Sequence, residues 1–98
     1  MKIMVCSDVE GFSEDKIKSI RDDIAKDIRE KIKEEDLVIT FNNIPKEGER
    51  GPLVALGRTL ERMADADAIY FADGYTKCRV GIISYTAARL YNKKIIRE

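Results

Sequence analysis

Four short apolar runs, separated by three segments of helical period, constrain this chain more than any single motif does. The runs are Ile3 to Cys6, Leu37 to Phe41, Ala68 to Ala72, and Lys94 to Arg97 with its paired isoleucines. Short runs rich in β-branched and aromatic residues read as buried strands. After the first run, Ser13 suits a helix N-cap, with Glu14 and Asp15 in the favoured first turn. Ile17, Ile20, Ile24, Ile28 and Ile32 then recur at spacings of three and four. That spacing predicts a core-facing helix flanked by Asp22–Lys26 and Asp27–Lys31 pairs. A polar loop, Asn42 to Gly51, leads to Pro52, which fits the first position of a second helix. Leu53, Leu56, Leu60 and Met63 form its apolar face. A third helix, from about Arg79 to Tyr91, is expected to turn Ile82, Ile83, Ala87 and Leu90 inward.

The order β-α-β-α-β-α-β predicts an α/β fold with parallel strands and right-handed crossovers. The expected sheet is a short, doubly wound, flavodoxin- or Rossmann-like one with strand order 2-1-3-4. Ligands of such sheets bind beyond the carboxyl ends of the strands at the switch point, here between strands 1 and 3. The rule selects Ser7 to Phe12, Asp73 to Arg79 and the loop after strand 2, beginning at Asn42. With 98 residues, the chain fits one domain, residues 1–98, and a chain this small buries about 60–68% of its unfolded surface.

Composition narrows the chemistry. There is no histidine among the 98 residues, so a Ser-His-Asp triad, a Cys-His pair and a histidine metal site are excluded within one chain. The 18 basic and 18 acidic residues balance, which argues against a nucleic-acid polymer as partner. Residues 1–50 hold 10 basic and 13 acidic groups and residues 51–98 hold 8 and 5, a mild swing that fits solvated helix faces. Cys6 and Cys78 lack the spacing of a disulfide framework or zinc knuckle. The opening MKIMVCSDVEG is too soon charged for a secretory signal, and no apolar run approaches the ~20 residues of a membrane span. A cytoplasmic location is expected (the host cytoplasm if the protein is viral), with no membrane partner, no metal and no cofactor. Exposed sheet edges and a thin core point to a homodimer or higher homo-oligomer.

At the crevice, helix N-termini offer unpaired N–H groups to an anion. Gly11 and Gly74 permit close approach to the backbone, and Arg79 can pair with a phosphate. Phe12 and Tyr75 can stack a base, while Asp8, Glu10 and Asp73 gather three carboxylates suited to acid–base or nucleophilic work. Each also has a plain structural use, as a turn former, a surface charge or a cap on the core. Two enzyme patterns fail on counting. A phosphatase loop needs arginine six positions after its cysteine, where Phe12 and Ser84 stand. A receiver domain finds Asp8 and Asp73 but lacks its fifth βα unit and lysine.

MKIMV, Gly11 before Glu14 to Ile17, LGRTLERMADADAIYFADGY at 56–75 and the closing KKII together resemble a small phage and Firmicutes family. That family lies within the nucleoside 2-deoxyribosyltransferase-like superfamily, and the similarity runs nearly end to end. The resemblance implies a nucleoside- or nucleotide-shaped pocket and, in the true transferases, a glutamate nucleophile on the third helix. Where relatives read Ser-Gln-Pro-Met-x-Gly, this chain has Cys6-Ser7-Asp8-Val9-Glu10-Gly11. Where they read Gly-Trp-Glu-x-Ala-Arg-Gly it has Gly74 to Val80, and their Glu-His-Glu cluster is replaced by Ser84-Tyr85-Thr86. Ser84 thus stands at the nucleophile position with no base to activate it. The expected function is non-catalytic binding of a small nucleotide-derived ligand and, for a phage protein, sequestration of a host defence signal. The expected ligand contacts are Ser7, Asp8, Gly11, Phe12, Asn42, Asp73, Gly74, Tyr75, Arg79 and Ser84. The alternative is an N-glycosidase or deoxyribosyltransferase using Asp8, Glu10 or Asp73.

Overall fold

The structure, a computed structural model, describes residues 1–45 and 51–97. Its strands are β1 (Lys2–Cys6), β2 (Val38–Phe41), β3 (Ala68–Phe71) and β4 (Lys94–Arg97). Its helices are α1 (Glu14–Lys31), α2 (Pro52–Asp65) and α3 (Arg79–Leu90). They form one four-stranded, wholly parallel sheet in the expected order 2-1-3-4. Residues 46–50 of the expected polar loop lie outside the described residues.

The layering follows from handedness. The step from β1 to β2 runs in one direction across the sheet, and the steps to β3 and β4 run in the other. Right-handed crossovers therefore set α1 on one face and α2 with α3 on the opposite face. β1 serves both layers by alternation: Ile3 and Val5 pack with Ile24 and Ile28 of α1, while Met4 and Cys6 pack with Met63 and Ala88.

Ser13 caps α1 as expected, its Oγ accepting from Lys16 N at 3.2 Å. Ile17, Ile24 and Ile28 are buried, each contributing about 1.5–3 kcal/mol of burial. The Asp27–Lys31 pair at 3.1 Å is exposed and adds about 0.3–0.5 kcal/mol. Packing of the isoleucine stripe decides the position of this helix.

The third helix departs from expectation. Gly81, Ser84 and Ala88 face the sheet, whereas Ile82, Ile83 and Leu90 are 51%, 42% and 73% exposed. In α2, Leu53 is likewise turned out at 76% exposure, and Ala55, Thr59 and Met63 face inward. Counting apolar side chains selects the bulkiest stripe, but the physical requirement on α3 is closeness. A short 3-10 turn, Tyr75–Lys77, follows Gly74 at φ +86°. α3 lies so near this turn that a Cβ on Gly81 would sit 2.1 Å from Tyr75 O. Only small residues fit on that side.

Gly57, by contrast, has nothing within 4 Å of an added Cβ. The same substitution therefore acts with opposite sign at the two glycines. Gly57→Ala is expected to stabilise by about 1 kcal/mol through helix propensity. Gly81→Ala is expected to destabilise by about 1–3 kcal/mol through overpacking. Urea unfolding of both variants checks the pair.

Candidate functional site

The frame of the switch point is built by one carboxamide. Asn42 Oδ1 accepts from Ser7 N and Asn42 Nδ2 donates to Ser7 O, each at 3.0 Å. Asn42 N also donates to Val5 O at 3.0 Å. The side chain thus adds one further rung to the pairing of β1 with β2, holding the chain as it leaves β1. Asn42 is 1% exposed and Ser7 4%, so both lie inside the protein beneath the crevice.

Two arginines clamp the end of β2 from opposite layers. Arg21 of α1 donates to Asn42 O at 2.6 Å, with its guanidinium 4.8 Å from the centre of the Phe41 ring. Arg62 of α2 donates to Phe41 O. Burial, and the nearby Arg62 charge, lower the pKa of Arg21. The next residue, Asn43, is held by its backbone: Asn43 N donates to Thr59 Oγ1 at 2.9 Å, and Thr59 Oγ1 donates to Ala55 O at 2.9 Å.

Above this frame lies a cavity of about 140 Å³ between the N-terminal ends of α2 and α3. Val9, Leu56, Val80 and Ile83 form apolar walls, while Asn43, Glu10 and Arg79 bring the polar groups. An open groove continues outward past Gly11, Phe12 and Ile44 and shares Glu10 and Arg79 with the inner cavity. Asp8 Oδ1 accepts from Glu10 N at 3.1 Å, folding the loop so that Glu10 reaches Arg79. Glu10 Oε1 accepts from both Arg79 Nε, at 3.0 Å, and Arg79 Nη2, at 2.7 Å. This exposed ion pair stands where cavity and groove meet.

The expected site residues divide. Glu10, Gly11, Phe12 and Arg79 line the crevice. Asp73 and Tyr75 line a different opening, with Phe71 and Arg97. Tyr75 belongs to an aromatic triad with Phe71 and Tyr85, all centroid distances being 5.2–5.3 Å. Ser84 is 0% exposed; its hydroxyl lies beside the Cys6 thiol and makes no hydrogen bond of normal geometry. The lining residues not anticipated include Leu56, Val80 and the outward isoleucine Ile83, and within the selected loop Asn43 had not been singled out. Asn43 directly follows Asn42, and strand alternation gives the two side chains opposite directions. That alternation was the available signal.

Both cysteines are free and buried. Burial pushes the Cys6 thiol up to about 12 from its usual 9.0, opposed by the Ser84 hydroxyl and helped by Cys78. Burial also raises Cys78, helped by Asp8 and Glu10 and opposed by the Gly81 N–H. Among the described residues, no three metal-ligating side chains come together, and no helix is long and apolar enough to cross a membrane. Comparison of the chain with family models, curated proteins and solved structures finds no match.

Three outcomes follow from this geometry. Asn42→Ala leaves the buried Ser7 N–H and C=O without partners and is expected to cost about 1–3 kcal/mol in denaturant unfolding. For Cys6, the unfolded thiol releases its proton near 9.0 and the folded one near 12. The folded state holds the extra proton between those values, so this contribution is complete below 9.0 and is lost as pH rises towards 12. Unfolding curves across that range should show the decline. A thiol-reactive dye at neutral pH should label Cys6 only after unfolding.

Proposed function

We propose that the chain binds a small nucleotide-derived ligand in this crevice without transforming it. The observation that carries the reading is the apolar cavity at the switch point with the Arg79 guanidinium at its mouth. Such a site suits a ligand with one apolar, planar part and one anionic part. The resemblance to deoxyribosyltransferase-like proteins supports the same ligand class. The burial of Ser84, 0% exposed at the presumed nucleophile position, supports binding over glycosyl transfer. In this reading the chain sequesters a nucleotide-derived signal, the role expected if the protein is viral. The outward Ile82 and Leu90 on α3 support assembly as a homodimer or higher homo-oligomer.

Glu10 favours a second reading, because it is a carboxylate that lines the cavity itself. An N-glycosidase would use it on the sugar of a nucleoside. The two readings disagree about Glu10→Gln. In the binding reading, Glu10 competes with the ligand's phosphate for the donors of Arg79. Glu10→Gln then tightens nucleotide binding, and Arg79→Ala weakens it about tenfold or more, the scale of a charge-assisted hydrogen bond. In the enzyme reading, Glu10→Gln abolishes release of free base. Calorimetry with nucleoside monophosphates, followed by mass spectrometry of the recovered ligand, distinguishes them. Intact ligand is the expected result, and steady release of base overturns the proposal.

A further inference from the structure

The geometry points to a second binding site, apart from the crevice, where Arg89 and Arg97 together hold the phosphate group of a small anionic molecule. The site is independent of the nucleotide reading above. Arg97 stands opposite Phe71 in the pairing of β3 with β4, and paired residues of a ladder turn their side chains to the same face. Arg97 therefore points to the side that α3 covers. On α3, Arg89 follows Tyr85 by four residues, the spacing that sets two side chains beside each other on a helix. The two guanidinium groups meet at one ring, Arg97 at 5.9 Å and Arg89 at 6.0 Å from the centre of Tyr85. The ring itself is firmly seated. It packs edge-on against Phe71, which is 0% exposed, and tilted against Tyr75.

The charge gathered there has no counterpart within the fold. From Gly74 to Arg97 the chain has six cationic residues and no acidic one. Arg79 is paired with Glu10, and Lys93 is spent on Ala64 O and Ala66 O. Arg89 and Arg97 meet no carboxylate among the described residues. The Tyr75 hydroxyl lies beside Arg97 and, with Tyr85, raises its pKa above the ordinary arginine value. An arginine resting on a ring keeps its N–H donors for another acceptor, and its planar fork matches phosphate oxygens. A carboxylate is satisfied by one such fork, whereas a phosphate ester brings nearly two charges and enough oxygens for both. Phe71, Asp73, Tyr75 and Arg97 line an opening through which the anion reaches the pair. Asp73 is the carboxylate of that lining, and its charge limits how tightly an anion is held.

The test follows the arginine Nε–H signals by NMR while glycerol phosphate, a phosphate ester with no base, is added at constant ionic strength. Sodium chloride alone is the control for screening. The signals of Arg89 and Arg97 are expected to move together along one saturating curve that chloride does not reproduce, while the Arg79 signal at the crevice does not follow it. Arg89→Gln and Arg97→Gln are each expected to weaken binding about tenfold. Both side chains are exposed, so neither change disturbs the core, and the remaining arginine signals report that the variant is folded. Asp73→Asn is expected to tighten binding about two- to fivefold by removing the opposing charge. Shifts that do not saturate, or that chloride reproduces, overturn the inference. So does an unchanged affinity in any of the three variants. Movement of the Arg79 signal alone assigns the phosphate to the crevice, which overturns the second site and leaves the nucleotide reading standing.

Discussion

The pairing of β1 with a parallel neighbour on each side is the interaction on which the rest of the molecule depends. Ile3, Met4, Val5 and Cys6 are each 0% exposed, because this strand is covered by helices on both faces and by strands on both edges. A parallel strand in that position has no solvent-facing side on which to place a polar residue. Its direction and register dictate where β2 and β3 end. The crevice is the gap that opens where the chain leaves β1 and its neighbours turn away. Asn42 extends the ordered region by one rung, so the site begins on a rigid rim.

The opposite construction governs α3. Its sheet-facing residues are Gly81, Ser84 and Ala88, and the helix sits hard against Tyr75. Close seating of a helix demands small side chains and sends the large ones elsewhere. Ile83 and Val80 become walls of the cavity as a result. Ile83, which the expected stripe would put in the core, is presented to the crevice instead, and Ile82 and Leu90 face outward elsewhere.

These two constructions explain what could be read from the residues alone. Alternation of apolar runs with helical stripes encodes the strand order, because handedness leaves few other ways to connect such elements. The switch-point rule selects Glu10, Gly11, Phe12 and Arg79, which the structure brings together at one crevice. The inward face of α3 was not legible, since periodicity favours bulk and Gly81, Ser84 and Ala88 carry no hydrophobic signal. Asn42 and Asn43 were not separable in role either. Which of two adjacent carboxamides faces inward depends on where the ladder stops. Its position after β3 points Tyr75 to the crevice, but the turn after Gly74 carries its ring towards Phe71 and Tyr85.

The division of α3 into a seated side and a crevice side has an evolutionary consequence. Positions such as Gly81 and Ala88 are closed to change, because any enlargement there unseats the helix. Ile83, outside the core cluster that Val80 still packs against, bears on the shape of the cavity and little on the seat. Drift at Ile83 can reshape the cavity wall while the architecture persists, so the crevice is freer to change its form than the helix is to change its seat.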